Sequence, residues 1–125
     1  MPHLPPLKIK VQIYCGCEIA MGPGKADLLN AIIAHGSISA AAKAMGMSYR
    51  RAWMLVDAMN RCWSGPLVET MAGGGHVRGA RVTDLGETVL KRYRTMAASA
   101  EHRALADFDG GLAALLAPAP KPSRP

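Results

Sequence analysis

The sequence predicts a single, mainly α-helical domain that carries a small β-hairpin. The chain has 125 residues, enough for one hydrophobic core. Half of its residues are apolar but only 5% are aromatic, so the core must consist of Ala, Leu, Val, Ile and Met, which suits packed helices. Apolar residues recur at helical spacing in four segments, and a glycine-rich stretch between two short apolar runs is typical of a hairpin.

The N-terminal segment predicts one strand followed by a break. Residues 1–6 are proline-rich and are expected to be flexible. From Leu7 to Cys15, apolar and polar residues alternate, which predicts a half-buried strand. Residues 16–24 are rich in turn-forming residues and predict a break before the first helix.

Three consecutive helices follow, each marked by its capping residues. We place them at Lys25–His35, from Ser37 or Ser39 to Met45, and from Ser48 to about Trp63. Pro23 fits the first turn of the first helix and Gly36 fits its C-terminal cap. Gly46 separates the second helix from the third.

Two short strands and a long helix complete the domain. We place the strands at Leu67–Met71 and Ala80–Val82, and the helix from Thr83 or Asp84 to about Asp107. The folded domain therefore spans 7–108. Residues 109–125 are rich in Ala and Pro and predict a flexible tail.

The net charge of +6 is concentrated in the middle of the chain. Nine basic and four acidic residues lie between Lys43 and Arg94, so five of the six net positive charges lie there. A clustered positive field attracts a polyanion and steers its approach. On charge alone, a solvated basic surface is an equal alternative.

The segment Ile38–Asp57 has the spacing of a helix-turn-helix. Ala42 supplies the small residue where the second helix crosses the first, and Gly46 tolerates the positive φ of the turn. Both helices carry an apolar stripe, formed by Ala41, Met45, Met47, Ala52, Leu55, Val56 and Met59. An Ala-x3-Gly pair alone is weak evidence for this motif. Together with this stripe, it favours a helix-turn-helix over a plain helical hairpin.

The second helix of this motif leaves polar residues outside. Its first turn holds Ser48, Tyr49, Arg50 and Arg51. That end enters the major groove of DNA, where Arg can bridge guanine O6 and N7 or hold a phosphate, and Ser and Tyr can contact phosphates or base edges. Trp53 continues the same side and can either stack on its own domain or lie against the DNA backbone. Further candidate DNA contacts are Ser37 and Ser39, at the start of the first helix of this motif.

The glycine-rich hairpin is a candidate wing. His76, Arg78 and Arg81 lie on or beside a loop with four glycines. Such a loop can approach a phosphate backbone, with Arg reaching the adjacent minor groove; a mobile surface turn is the alternative. A nucleotide-binding phosphate loop is excluded, because no Lys-Ser/Thr pair follows the glycines. The sequence thus predicts a winged helix-turn-helix.

At these residues the chain resembles the DNA-binding domain of the ModE-type, molybdate-responsive regulators, which are related to the LysR-type winged helices. The resemblance covers about Leu7 to Phe108. It rests on GSISAAAKAMGMSYRRAW at Gly36–Trp53, MN at Met59–Asn60, LVE at Leu67–Glu69, the glycine-rich wing, and RVTDLGE at Arg81–Glu87. The SY-R/K-x-AW string is quite specific to this group.

The resemblance implies a homodimeric DNA-binding domain of a transcription regulator. It also implies that the residues from Ser48 to Arg51 begin the recognition helix. Full-length members of the family carry C-terminal oxyanion-binding domains that hold molybdate or tungstate. Nothing in this chain matches those ligand residues, so we expect no cofactor here.

The long last helix is a candidate dimerisation element. A helix of about 24 residues is roughly 36 Å long, more than one small domain needs. We expect it to pair with a second copy through Leu85, Val89, Tyr93, Met96 and Ala100. Packing on the core of its own domain is the alternative. A two-fold dimer would bind an inverted-repeat operator.

The remaining residues give little support to other functions. Three cysteines, Cys15, Cys17 and Cys62, are an odd number, which argues against a secreted disulfide framework. With neither a signal peptide nor a membrane-length apolar run, we expect a cytoplasmic protein. The scattered histidines and isolated carboxylates form no catalytic arrangement, so we expect no enzyme.

Two alternatives to DNA binding stay open. A winged-helix protein-interaction module would show no salt-sensitive affinity for DNA. A metal or redox sensor would require zinc or thiol chemistry at the three cysteines, but Cys15-Gly16-Cys17 has no second close cysteine pair, which favours inert thiols.

Overall fold

The computed structural model describes residues 5–71 and 79–124. In chain order they form β1 (Ile13–Cys15), β2 (Glu18–Met21), α1 (Pro23–His35), α2 (Ile38–Ala44), α3 (Tyr49–Cys62), β3 (Val68–Met71), β4 (Gly79–Val82), α4 (Asp84–Asp109) and a 3-10 helix at Leu112–Leu115. The strands form two separate antiparallel hairpins, β1–β2 and β3–β4. The predicted mainly α-helical fold with a small β wing is confirmed.

The helix ends follow the predicted capping residues. Gly36 adopts a φ of +75° after α1, and its N–H donates to the carbonyl oxygen of Ile32 at 2.8 Å. Ser37, rather than Ser39, caps α2. Ser48 caps α3 and Thr83 caps α4, in each case by accepting a hydrogen bond from a backbone N–H in the first turn.

The N-terminal strand is much shorter than predicted, and its partner lies where we predicted a break. β1 begins only at Ile13, and it pairs with β2 around a turn at Gly16, which has a φ of +60°. Residues 7–12 keep the alternation of half-buried and exposed side chains. They form no ladder with another described strand, because β2 is only four residues long and ends just before α1.

One hydrophobic core joins α1, α2, α3, both hairpins and the first part of α4. Its largest fully buried side chains are Met21, Leu28, Leu29, Ile32, Met59 and Leu67. Val89 and Tyr93 also belong to this core, at 9% and 3% exposure, and the Tyr93 hydroxyl donates to the carbonyl oxygen of Val11 at 2.7 Å. Their assignment to a dimerisation face is therefore wrong: the first turns of α4 cover the core of their own domain.

The second part of α4 extends away from this core. All four buried residues of the 26-residue helix lie within its first ten positions. Beyond Asp109, the segment predicted as a flexible tail contains the 3-10 helix, whose Leu112 and Leu115 are 62% and 83% exposed. Within the described part of the chain, no helix has the length and apolarity needed to cross a membrane.

Candidate nucleic-acid interface

The turn between α2 and α3 fixes the orientation of α3. Gly46 has a φ of +67°, in the left-handed region that favours glycine. The N–H of Met47 donates to the carbonyl oxygen of Ala42 at 3.0 Å and closes the turn. Ala42 is only 2% exposed, so the two helices cross closely at this small residue. This corner determines which side of α3 packs on the core and which side faces outward.

The inner face of α3 is apolar and the outer face of its first turn is cationic. Ala52, Val56 and Met59 are buried. Tyr49, Arg50 and Arg51 are all exposed, and the first turn holds no acidic residue. The partial positive charge of the helix N-terminus therefore adds to the charge of two guanidinium groups. An approaching anion meets all three at the same end of α3.

Two of the predicted serine contacts cap helices. The Oγ of Ser48 accepts a hydrogen bond from the Arg51 N–H at 3.1 Å, and the Oγ of Ser37 accepts one from the Ala40 N–H at 3.0 Å. These bonds fix the first turns of α3 and α2 and leave each hydroxyl hydrogen free to donate. Ser39 is exposed in the first turn of α2. Contacts of these serines with DNA stay predictions.

Arg50 and Arg51 differ from most of the other arginines that the structure describes, because they form no ion pair with a carboxylate there. Four arginines form ion pairs with carboxylates: Arg61, Arg81, Arg94 and Arg103. Within residues 5–71 and 79–124, neither Arg50 nor Arg51 forms one. Because no carboxylate of these residues is paired with them, both guanidinium groups are available to a phosphate or to the edge of a guanine.

The outer face of α3 continues with two large apolar side chains. Trp53 is 45% exposed and Met54 is 60% exposed. The structure therefore leaves much of the Trp53 ring open to a ligand. Met54 is not among the site residues predicted from the sequence. The signal that could have found it is its spacing, since Met54 lies four residues after Arg50 and therefore on the same helical face.

The wing hairpin is described in part. β3 and β4 pair in register from Val68–Val82 to Met71–Gly79, and the predicted residues His76 and Arg78 lie outside the described residues. Arg81 is exposed on β4, but its Nη2 lies 2.8 Å from Oε2 of Glu69 on β3. A phosphate contact by Arg81 would therefore have to compete with this cross-strand ion pair.

The β1–β2 hairpin contacts the C-terminal end of α3. Nη2 of Arg61 lies 3.0 Å from both carboxylate oxygens of Glu18, and its Nε lies 2.9 Å from the Asp57 carboxylate. The hydrogen bond from Arg61 holds the pKa of Glu18 below its usual value. The Trp63 indole N–H donates to the carbonyl oxygen of Ala20 at 3.0 Å. These contacts connect α3 to the N-terminal hairpin.

The three cysteines are free, with Cys15 and Cys17 exposed and Cys62 half-buried at the last position of α3. The Sγ of Cys62 lies 3.8 Å from a carboxylate oxygen of Glu18. Desolvation raises the pKa of the Cys62 thiol, and the neighbouring Cys15 and Glu18 raise it further. Within the described ranges, no three His, Cys, Asp or Glu side chains are grouped as a metal site would require.

The second part of α4 leaves an exposed face. Met96 is 44% exposed and Ala100 is half-buried, and they lie with Thr88, Lys91, Arg92, Thr95, Ser99 and Arg103 along one side of the helix in a shallow groove. Leu85 is half-buried against the core. Of the five predicted dimerisation residues, Met96 and Ala100 are therefore the two that this face presents to solvent.

Comparison with known proteins identifies the relatives of the chain, although no protein-family model matches it. The chain is 36% identical over 94 residues to the molybdenum-pterin-binding protein MopA of Rhodobacter capsulatus. These residues are 75% of this chain and 35% of that protein. It is 37% identical over 75 residues to the DNA-binding transcriptional dual regulator ModE of Escherichia coli K12. These residues are 60% of this chain and 29% of that protein. The proteins that the chain is similar to in these comparisons are ModE and Mop proteins. The resemblance found in the sequence is therefore confirmed.

A third relative and a solved structure agree with this assignment. The molybdenum transport protein ModE of Azotobacter vinelandii is 39% identical over 77 residues, which cover 62% of this chain and 28% of that protein. The chain thus spans about a third of the length of its ModE and Mop relatives, or less. The full-length LysR-type regulator LysG of Corynebacterium glutamicum, solved with bound effector Arg, matches 74% of this chain and 30% of its own with a TM-score of 0.50 and 27% identity.

Proposed function

We propose that this chain binds duplex DNA in a sequence-specific manner through α3 and thereby regulates transcription. The observation that carries the proposal is the first turn of α3, where Arg50 and Arg51 are exposed and have no carboxylate partner within residues 5–71 and 79–124. A relative named as a DNA-binding transcriptional regulator supports it.

In this proposal α3 lies along the major groove with its first turn against the base edges. Arg50 and Arg51 contact guanine edges or phosphates, while Ser48 and Tyr49 position the helix on the backbone. The wing lies beside the adjacent phosphates, where Arg81 can contribute. These contacts come from groups of the protein alone, and we propose that DNA binding of this kind needs no cofactor.

The test is the joint substitution Arg50→Ala with Arg51→Ala. A duplex selected by the protein from a random library is titrated in a gel-shift assay at fixed salt. Each lost base contact costs about 1–3 kcal/mol, so the dissociation constant should rise several-fold or more. The matched control is Lys121→Ala with Arg124→Ala, which removes the same charge from exposed positions near the C-terminal end of the chain.

The comparison separates a specific interface from general charge attraction. A much larger loss in the Arg50/Arg51 variant than in the control would support the interface on α3. Equal and small losses in both variants would overturn the assignment, because overall charge alone would then account for the affinity.

We further infer that the chain acts as a homodimer on an inverted-repeat operator. The 26 residues of α4 extend over about 39 Å, yet the residues that are buried all lie within the first ten. The exposed face around Met96 and Ala100 continues beyond the core and can pair with the same face of a second copy. A two-fold axis through that pair would give each recognition helix its own half-site.

This part of the proposal is tested on the free protein. Met96→Glu places a carboxylate in the centre of the exposed face and should shift the mass measured by light scattering from dimer to monomer. The control Ala98→Glu introduces the same charge at an exposed position on the opposite side of α4 and should leave a dimer. A monomeric mass for the unmodified chain at micromolar concentration would exclude the dimer.

The names of the relatives support a proposal about the class of regulated genes. Their names refer to molybdenum transport and to molybdenum-pterin binding. We infer that the operators of this chain control genes for molybdenum uptake or use. Sequencing of genomic fragments bound by the protein would identify those genes, and fragments unrelated to molybdenum would contradict the inference.

A further inference from the structure

An apolar patch on the outer face of α3 lies between the cationic first turn and the ion pair of Asp57 with Arg61. Met54 is one helical turn beyond Arg50, and Trp53 is three residues beyond it, so both share the face of that arginine. Their exposed fractions are 60% and 45%. Met54 is the most exposed methionine of the described residues, ahead of Met71 at 53%. The centre of the face that we assign to DNA is therefore apolar.

The fold does not need the Met54 side chain. The core side of α3 is formed by Ala52, Val56 and Met59, which are buried. Burial of a largely exposed methionine in a complex would remove apolar surface from water and favour binding. The thioether chain is flexible and polarisable, which lets it fit an irregular surface. This residue is thus free to contribute to binding rather than to folding.

The charged side chains beside the patch favour DNA as its partner. Arg50 lies on the same face, and Arg51 lies beside it in the first turn, both without a carboxylate partner in the part of the chain that the structure describes. A purely apolar protein partner would have to desolvate these guanidinium groups without compensation. The DNA major groove supplies phosphates and guanine edges for arginine, and its one apolar group is the 5-methyl group of thymine.

We propose that Met54 contacts the 5-methyl group of a thymine in the major groove. This inference rests on the proposed function and adds a specificity residue to the same site. Met54 lies about 6 Å further along the helix axis than Arg50. Successive bases on one strand are about 3.4 Å apart. The thymine should therefore lie one or two base pairs from the position that Arg50 contacts.

The experiment removes the methyl group from the DNA and the thioether from the protein. A duplex is selected from a random library with the unmodified protein, and each of its thymines is replaced in turn by deoxyuridine. Binding is measured by fluorescence anisotropy at fixed salt. At one thymine or more, the dissociation constant of the unmodified protein should rise about fourfold, as expected for one methyl group returned to water. Met54→Ala should weaken binding to the thymine duplex and show no further loss at that position.

Two variants make the result specific to Met54. Met54→Leu keeps an apolar side chain and should still discriminate thymine from deoxyuridine. Ile33→Ala removes a 49% exposed apolar side chain from α1 and should behave like the unmodified protein. If every thymine shows the same loss in Met54→Ala as in the unmodified protein, or if none shows a loss, the inference is overturned while DNA binding stands. If selection yields no duplex with salt-sensitive affinity, the proposed function itself fails.

Discussion

The side-chain amide of Asn60 pairs with the backbone of Val68 as a neighbouring strand would. Its Nδ2 donates to the Val68 carbonyl oxygen at 3.0 Å, and its Oδ1 accepts from the Val68 N–H at 3.0 Å. The same oxygen accepts from the N–H of Leu67 at 2.9 Å. One side chain near the end of α3 thus satisfies three backbone groups at the start of β3. The helix α3 and the β3–β4 hairpin are held together through this residue.

Asn60→Ala should destabilise the fold more than a surface substitution does. It leaves two backbone N–H groups and one carbonyl of the buried residues Leu67 and Val68 without their partner. An unsatisfied buried group costs about 1–3 kcal/mol, so we expect a loss of about 2–4 kcal/mol in the free energy of unfolding. Urea unfolding followed by circular dichroism measures it.

The control for this variant is Asn30→Ala. Asn30 is exposed on α1, and its substitution should change the free energy of unfolding by less than about 0.5 kcal/mol. If Asn60→Ala also fell in that range, the amide would not be the connection between α3 and β3 that its three hydrogen bonds indicate.

Gly86→Ala should reduce the free energy of unfolding more than Asn60→Ala does. The reason is a steric clash of the added Cβ, not a backbone conformation that only glycine adopts. A Cβ at Gly86 would lie 2.3 Å from the Leu67 carbonyl oxygen and 2.7 Å from Cγ1 of Val82. Backbone on one side and a buried side chain on the other leave no room, so α4 would have to move away from the wing. We expect a loss of at least about 3 kcal/mol in the free energy of unfolding.

Gly24→Ala is the matched substitution for Gly86→Ala. Gly24 also lies in the first turn of a helix, but a Cβ there would meet nothing within 4 Å. Because alanine restricts the unfolded chain, this variant should be neutral or more stable by about 0.4–1 kcal/mol. Thermal unfolding of the two variants side by side should show a large loss of stability for Gly86→Ala alone, and similar shifts would contradict the close packing of α4 on the wing.

The capping residues made most of the fold predictable. Ser37, Ser48 and Thr83 each accept a hydrogen bond from a first-turn N–H. Gly36 and Gly46 both adopt positive φ. These features act within a few residues of sequence, so a single chain reveals them. The helical spacing of the apolar residues likewise predicted that Arg50 and Arg51 lie on the outer side of α3.

The errors came from interactions between distant segments. The strand Glu18–Met21 is four residues long and lies between turn-forming glycines, so only its pairing with Ile13–Cys15 defines it. Val89 and Tyr93 share a helical stripe with Met96, and periodicity does not tell which part of a long helix meets the core. Likewise, the sequence does not show that Glu69 faces Arg81 across the wing.

The Glu18–Arg61 pair predicts a pH dependence of stability. The pKa of the Glu18 carboxyl is lowered in the fold, mainly by the hydrogen bond from Arg61. A lowered folded-state pKa means that the pair stabilises the protein above the ordinary pKa of 4.5 and that this contribution is lost as the pH falls through the folded value. Glu18→Gln should therefore reduce stability at pH 6 and have a smaller effect at pH 3.

Stability at the two pH values is measured by urea unfolding, with a carbon-13 titration of the Glu18 carboxyl as a direct readout. Glu101→Gln removes an exposed carboxylate from α4 that forms no ion pair in residues 5–71 and 79–124. It should show no comparable difference between pH 6 and pH 3. A Glu18 pKa at or above 4.5 would contradict the ion pair.

The ion pair between Glu69 and Arg81 predicts two opposite effects on DNA binding. If Arg81 contacts a phosphate, Arg81→Ala should make the slope of log affinity against log salt shallower by about 0.9. Glu69→Gln removes the carboxylate that lies 2.8 Å from Arg81. The freed guanidinium should then bind the phosphate better, so affinity should rise. Anisotropy titrations of a selected duplex at several salt concentrations measure both effects.

The control for Glu69→Gln is Glu101→Gln, which removes the same charge from α4 and separates the loss of a competing carboxylate from the change in net charge. Glu69→Gln should raise affinity more than this control, and only in the presence of Arg81. In the double variant Glu69→Gln with Arg81→Ala, the gain beyond the control should disappear, because no guanidinium is left to be freed. Equal gains from Glu69→Gln with and without Arg81 would mean that the wing arginine does not reach the DNA backbone.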